Sequence, residues 1–193
     1  MKDEALIWNT VAKEELLRTR VFSVLSQREV SASGLEGDYI ALDAPDCVVT
    51  VPVYKGSFVL VRQWRHGADK LTTEFPGGVV NKGEDPAVAA ARELAEETGF
   101  TAGRLTLLGE CNPNPALFKS RYYCYLAEEL TPTGKQQLDS DELLDCFTRP
   151  IESVIAEFGS EEYCHAFMGA ALAMYMRHAF GKEIISGQKG SDK

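Results

Sequence analysis

The sequence lacks paired cysteines, an excess of basic residues and a long apolar run. Its five cysteines are odd in number and widely spaced, with no CxxC pair, which argues against a disulfide framework and predicts buried free thiols in a reducing compartment. The formal net charge of -9 argues against nucleic acid or an anionic membrane as a partner, because both select clustered Lys and Arg.

The lengths of the apolar segments predict a soluble globular protein rather than a membrane protein. The longest, Ala166–Met176, is too short to span a bilayer and is expected to be a core helix. The N-terminal segment MKDEALIWNT lacks the basic and apolar parts of a signal peptide, so we expect a cytoplasmic protein. At 193 residues and 45% apolar content, the chain is expected to form one main domain with a modest appendage.

Turn and strand patterns predict an N-terminal arm ahead of a core domain. In the arm, residues 4–18 are expected to form a short helix, and 21–30 and 38–44 two strands joined by the glycine-containing turn 31–37. The core is expected to begin with strands 47–54 and 57–64 around a tight turn at Lys55-Gly56, followed by short strands near 72–75, 105–110, 121–127 and 143–149. The predicted division is an arm over 1–45, a core domain over 46–182 and a flexible tail over 183–193.

The clearest helix is predicted over 86–98. Asp85 suits its N-cap, Pro86 its first turn and Gly99 the left-handed position after its end. Two more helices are predicted at 150–158 and 161–180. Strands and helices therefore interleave irregularly, which predicts an α+β fold with helices against a mixed sheet.

The 86–98 helix carries an unusual group of like charges. At 100° per residue, Glu96 lies about 60° to one side of Glu93 and Glu97 about 40° to the other, so the three carboxylates share one face. Small apolar residues occupy the opposite face and can lie close against a sheet. Because like charges three and four residues apart repel, a hard divalent cation that takes oxygen ligands, such as Mg²⁺ or Mn²⁺, would offset the cost.

The surrounding spacing is more specific than the charge cluster itself. Five residues separate Gly78 from Glu84, seven separate Glu84 from Arg92, and the segment ends in Glu96-Glu97, one residue, and Gly99-Phe100. This pattern resembles the Nudix box at every signature position. The resemblance implies a Nudix-type α/β/α sandwich with a mixed β-sheet and an N-terminal antiparallel strand arm, and a hydrolase of nucleoside diphosphates linked to another moiety.

The resemblance also implies roles for the box residues. Glu93, Glu96 and Glu97 would be metal ligands, with the carbonyl of Gly77 or Gly78 as a further contact. The site would hold two or three Mg²⁺ or Mn²⁺ ions. Glu84 would pair with Arg92 and brace the loop against the helix. The catalytic base would come from the acidic segment LDSDELLD, where Glu142 is the first choice and Asp141 the second, with Asp139 also present.

Residues outside the box indicate the substrate class. Pro115, fifteen residues after Phe100, resembles the mark of the ADP-ribose pyrophosphatase subgroup. Members of that group look similar to this sequence in two further respects. They have an N-terminal strand arm, which they exchange across a homodimer, and they have an arginine and a glutamate ahead of the box. By that resemblance Arg65 would contact the diphosphate and Glu74 would position substrate or a metal, and the substrate would be a small nucleotide sugar.

Two alternatives remain open at this point. One is an enzyme that hydrolyses nucleoside triphosphates or dinucleoside polyphosphates. The other is a Nudix fold that senses a ligand or binds a protein without catalysis.

Overall fold

The computed structural model describes residues 3–138, 140 and 142–186, with side chains through Gly181. The chain forms two compact units. The first contains the residues up to Asp46 together with Asn112–Arg121, and the second contains Cys47–Cys111 and the residues from Tyr122 onward.

The first unit is built on a three-stranded antiparallel sheet with the order β1-β2-β3. Its strands are β1 (Trp8–Arg18), β2 (Ser23–Ser31) and β3 (Glu36–Asp43), preceded by a 3₁₀ turn at Asp3–Leu6. The predicted helix over 4–18 is wrong. The segment pairs with β2 from Trp8 opposite Ser31 to Arg18 opposite Ser23, and this long-range pairing overrides the helical preference of its Glu and Leu residues.

The second unit contains a six-stranded mixed sheet. Its strands are β4 (Cys47–Tyr54), β5 (Ser57–Arg65), β6 (Lys70–Glu74), β7 (Phe100–Cys111), β8 (Tyr122–Pro132) and β9 (Leu144–Pro150). They run in the order β6-β5-β4-β8-β7, and β9 pairs with β5. The pairing of β4 with β8 is parallel and the others are antiparallel. The predicted turn between β4 and β5 is present, with positive φ at both Lys55 and Gly56, as a tight hairpin requires.

Three α-helices belong to this unit: α1 (Pro86–Thr98), α2 (Ile151–Glu157) and α3 (Ala166–Ser186). The caps predicted for α1 are present, since Asp85 accepts a hydrogen bond from the Ala87 N–H and Gly99 adopts φ 67°. The predicted start of the last helix at 161 is wrong. Residues 161–165 form a turn, and the Glu162 carbonyl in it accepts a hydrogen bond from the Thr73 N–H of β6. That helix also continues past 180 to Ser186, and 187–193 of the predicted tail lie outside the described residues.

Alternating side chains on the strands build a core on each face of the sheet. Val48 packs with Ala89 and Ala90 of α1, and Val59 packs with Leu94. The opposite face is larger and packs against α2 and α3, using Val49, Val51, Phe58, Leu60, Val154, Met168 and Leu172. Helices on both faces of a mixed sheet, with a separate antiparallel sheet in the N-terminal region, confirm the predicted fold class.

All five cysteines are free thiols, but the prediction that they are buried is wrong in part. Cys124 is buried, whereas Cys47, Cys111 and Cys146 are half-buried and Cys164 is exposed. Cys164 lies in the irregular segment just before α3. Among the helices within residues 3–186, none combines the length and apolarity needed to cross a membrane.

Candidate active site

The acidic face of α1 opens into a cavity of about 460 Å³. Glu93, Glu96 and Glu97 all line it, as their spacing on the helix predicts. The cavity wall also includes Gly77 and Gly78 of the loop between β6 and α1, Arg65 at the end of β5, and Glu142. The second unit therefore gathers most of the predicted site residues around one cavity.

The two box glycines allow the loop to lie against both the sheet and α1. The Gly77 N–H donates to Oε2 of Glu97 at 2.8 Å. A Cβ at Gly77 would lie 2.2 Å from the Val48 carbonyl oxygen, and a Cβ at Gly78 would lie 2.5 Å from Cδ of Glu93. The Gly78 carbonyl already accepts the Val48 N–H at 2.9 Å, which makes Gly77 the better candidate for a carbonyl ligand.

Burial and mutual repulsion shape the acidity of the carboxylates. Burial raises the pKa of Glu97 to about 8, and the charges of Glu93 and Glu142 add to the rise against the opposing hydrogen bond from Gly77. Burial also raises the pKa of Glu93, although Arg92 opposes it. The protein alone does not supply enough positive charge to neutralise these buried carboxylates. This is expected at a site where a bound cation supplies the missing positive charge.

Arg92 connects the loop to the acidic face. Its guanidinium donates to both carboxylate oxygens of Glu84 at 3.0 Å, and its Nη1 donates to Glu93 at 2.7 Å and Glu96 at 3.1 Å. The Asn81 N–H also donates to Glu84 at 2.9 Å. The hydrogen bonds from Arg92 and Asn81 lower the pKa of Glu84 to about 2. The contact expected between Glu84 and Arg92 is therefore present.

Arg65 and Glu74 form a second pair, in which the Glu74 side chain is buried. Nε of Arg65 donates to Oε1 of Glu74 at 2.9 Å, and Nη2 donates to Oε2 at 2.6 Å. Burial alone would raise the pKa of Glu74, but the hydrogen bonds from Arg65 hold it below its ordinary value. Glu74 in turn raises the pKa of Arg65, and the charge of Glu97 contributes to the same rise.

Glu142 is an exposed residue on the segment before β9, and it lines the same cavity as the box glutamates. Its charge contributes to the raised pKa of both Glu93 and Glu97. Asp139 and Asp141 lie outside the described residues.

Comparisons with known proteins agree with this geometry. Residues 44–165 match the NUDIX domain family. Over 182 residues the chain is 29% identical to the ADP-ribose pyrophosphatase of Bacillus subtilis, which covers 93% of this chain and 96% of that protein. It is 30% identical over 131 residues to the Escherichia coli ADP compounds hydrolase NudE, covering 67% of this chain and 69% of that protein. A crystal structure of an ADP compounds hydrolase superposes with a TM-score of 0.80 at 26% identity, covering 91% of this chain and 95% of that one.

The chain belongs to the NUDIX family. The Nudix resemblance stated from the box spacing is confirmed, and the chain is a Nudix pyrophosphohydrolase. Nudix hydrolases generally use divalent metal ions.

The Nudix cavity has the donors that a hard divalent cation requires. Glu93, Glu96 and Glu97 offer carboxylate oxygens and Gly77 a backbone carbonyl, which suit Mg²⁺ or Mn²⁺. Within residues 3–138, 140 and 142–186, no three acidic, histidine or cysteine side chains are already set at ligand spacing. The contact of Arg92 Nη1 with Glu93 and Glu96 explains this, so both carboxylates would turn from Arg92 toward a bound cation.

Among the predicted residues that the structure describes, three do not line this cavity. Glu74 and Glu84 pair with Arg65 and Arg92, which do line it. The third is Pro115. It is exposed, begins the short turn 115–117 and belongs to the first unit.

Sequence reasoning missed four residues that line or support the Nudix cavity. Val79 and Asn81, in the loop before α1, line it. The other two are on strands: Gln63 lines the cavity, and Thr72 donates a hydrogen bond to Glu74. Strand alternation carries a usable signal for both, because Gln63 shares a face with Arg65 and Thr72 with Glu74.

Proposed function

We propose that this Nudix protein hydrolyses the pyrophosphate bond of ADP-ribose or a related nucleoside diphosphate sugar. The products would be a nucleoside monophosphate and a sugar phosphate. The observation that carries the proposal is the cavity that joins the three box glutamates to Arg65 and Glu142. The similarity to an ADP-ribose pyrophosphatase along nearly the whole of both chains supports the choice of substrate.

Glu93, Glu96, Glu97 and the Gly77 carbonyl would hold two or three Mg²⁺ or Mn²⁺ ions. When bound, such ions neutralise the diphosphate and lower the pKa of water. The Gly77 N–H keeps Glu97 in place from the loop side, and the Arg92–Glu84 pair holds the loop to the helix. The first contact orients the Glu97 carboxylate before substrate arrives, which reduces the reorganisation needed at that ligand during the reaction.

Arg65 binds the diphosphate in this proposal. Its planar guanidinium matches phosphate oxygens in a bidentate manner, and it lies on the wall of the same cavity as the box glutamates. Pro115 is the further proposed substrate-binding residue, by its resemblance to the mark of the ADP-ribose pyrophosphatase subgroup.

Glu142 is the proposed general base. The box carboxylates are poor bases once they ligate metal, whereas Glu142 lines the cavity from a different segment of the chain. A base must lie within hydrogen-bond reach of the water it activates, and the cavity that Glu142 lines is the one lined by Glu93 and Glu97. Asp141 remains the second choice.

The proposed assembly is a cytoplasmic homodimer. All eleven residues of β1 are exposed, and its segment carries exposed apolar side chains at Ile7, Val11, Leu16 and Leu17. A second copy of the chain is a partner that would cover such a surface. The five free thiols support a reducing compartment.

A substrate panel tests the proposed reaction. The purified protein is incubated with ADP-ribose, other nucleotide sugars, nucleoside triphosphates and dinucleoside polyphosphates, with Mg²⁺ or Mn²⁺, and the products are identified by mass. The proposal predicts AMP and ribose 5-phosphate from ADP-ribose as the preferred reaction. Preferred release of pyrophosphate from a triphosphate would replace it with the nucleotide hydrolase alternative, and tight ADP-ribose binding without products would indicate a sensor.

A further inference from the structure

The side chains of Thr72 and Glu74 on β6 lie on the same face of the sheet as the side chain of Arg65 on β5. The register pairs Val61 with Glu74, Gln63 with Thr72 and Arg65 with Lys70. Directly paired residues of an antiparallel ladder point to the same side, as do residues two apart on one strand. The sheet therefore places Thr72, Glu74 and Arg65 together on the side where Gln63 lines the metal cavity.

Three hydrogen bonds occupy the carboxylate of Glu74. Arg65 donates one to each oxygen, and the Thr72 hydroxyl donates a short one to Oε1. Nδ1 of His165 lies 3.8 Å from Oε2, beyond hydrogen-bond distance. Thr72 and Glu74 are each only 2% exposed. Glu74 lines a smaller cavity of about 270 Å³ beside Arg65, but it does not line the cavity of the box glutamates, and Arg65 already binds both of its carboxylate oxygens.

The bidentate contact fixes the plane of the Arg65 guanidinium. Glu74 uses the Nε–H and one N–H of Nη2, which leaves the other N–H of Nη2 and both of Nη1 for the phosphate oxygens. Arg65 differs from Glu74 in being 41% exposed at its side chain. A guanidinium held along one edge keeps its other donors in a defined direction at little further entropic cost.

We propose that Thr72 and Glu74 are positioning residues for Arg65. Glu74 acts on the diphosphate through Arg65 and does not touch metal or sugar, and Thr72 keeps Glu74 in the orientation that Arg65 needs. This inference rests on the proposed function, since it assumes that Arg65 binds the diphosphate. It assigns a role to Thr72, which belongs to no motif. It also changes the role expected for Glu74 from direct contact with substrate or metal to orientation of Arg65.

The sequence offers a matched pair of variants for the test. Thr72→Val removes the hydroxyl with little change of shape, and Thr72→Ser restores it. Thr73→Val is the control, because Thr73 is equally buried on the same strand and also donates to a glutamate, Glu162, at 2.7 Å. Its side chain points to the opposite face of the strand. The two Val variants should lose similar stability, which separates positioning from a general loss of structure.

We expect Thr72→Val to raise the KM for ADP-ribose roughly 3- to 10-fold, the size of one ordinary intramolecular hydrogen bond, because its effect reaches the substrate only through Arg65, while kcat changes little. Thr72→Ser should return KM to near the wild-type value, and Thr73→Val should leave it unchanged. Glu74→Gln should raise KM further. A lower KM in Glu74→Gln would overturn the inference, because it would mean that Glu74 holds Arg65 away from the substrate.

A double-mutant cycle with Arg65→Ala separates indirect from direct action. If Thr72 and Glu74 act through Arg65, neither Thr72→Val nor Glu74→Gln should alter KM further in the Arg65→Ala background. Additive effects would show that Glu74 touches substrate or metal itself, and would overturn the inference.

Nitrogen NMR of the arginine side chains gives a readout independent of turnover. The Arg65 Nε–H signal should be sharp and protected from exchange in the wild type, and should weaken in Glu74→Gln and Thr72→Val but not in Thr73→Val. An unchanged signal in the first two variants would overturn the inference. If the wild type does not hydrolyse ADP-ribose, the proposed function fails by itself, and this signal still decides whether Thr72 and Glu74 hold Arg65.

Discussion

The backbone N–H of Gly77 donates to Oε2 of Glu97 over 2.8 Å, across twenty residues of chain. This bond joins the loop after β6 to the last turn of α1. It therefore connects two proposed metal ligands, the Glu97 carboxylate and the backbone of Gly77, whose carbonyl is the other ligand. The loop can lie this close to the sheet and helix because neither Gly77 nor Gly78 carries a Cβ.

The two glycines should fail in different ways when replaced by alanine. A Cβ at Gly77 would meet the backbone of Val48, so Gly77→Ala should lower the free energy of unfolding by about 1–3 kcal/mol, as overpacking does. A Cβ at Gly78 would meet the mobile end of Glu93. Gly78→Ala should therefore cost less than about 1 kcal/mol but reduce kcat roughly 100-fold, because Glu93 is displaced. Denaturant unfolding and initial rates measure both; equal losses of stability would contradict this division.

The local parts of the site could be predicted from the sequence, because helix caps and box spacing act over short distances. Asp85 and Gly99 bound α1 as expected, and the spacing of Glu84 and Arg92 yields their pair. The helix expected over 4–18 was wrong because its strand depends on pairing with β2. Thr72 was missed because its role depends on Arg65 across the sheet, and nothing in the residue type marks it.

The Glu84–Arg92 pair should make stability depend on acid pH. The pKa of Glu84 is lowered to about 2 from an ordinary value of 4.5. Its contribution to stability is therefore fully present above about pH 4.5 and is lost as the pH falls toward 2. The gap in Tm between wild type and Glu84→Gln, measured in chelator, should stay constant from neutral pH to about 5 and then shrink. A gap that does not change down to the lowest pH at which both proteins fold would refute this linkage.

Glu142→Gln should reduce kcat for ADP-ribose by about 100- to 10,000-fold, the usual contribution of a general base. Its Tm should still show a folded protein, which separates the loss of the base from a loss of structure. Glu161→Gln, at an exposed position before α3, is the control and should retain full activity. If Glu142→Gln is active and Asp141→Asn is not, Asp141 is the base instead.

The proposed homodimer predicts a specific sensitivity in β1. Leu17 on β1 and Leu107 on β7 are both 55% exposed, which makes them a matched pair. Sedimentation of the wild type should give twice the chain mass of 21.3 kDa. Leu17→Glu should shift the population toward monomer, because it introduces a charge into the proposed interface, and Leu107→Glu should not. A monomeric wild type at micromolar concentration would rule out the homodimer.

The most direct measurement is the mass of the products formed from ADP-ribose and Mg²⁺ by the wild type and by Glu97→Gln. Wild type should release AMP and ribose 5-phosphate, and Glu97→Gln should be slower by orders of magnitude while its Tm shows an intact fold. Absence of both products with the wild type, or equal rates in the two proteins, would contradict catalysis of this reaction at the box glutamates.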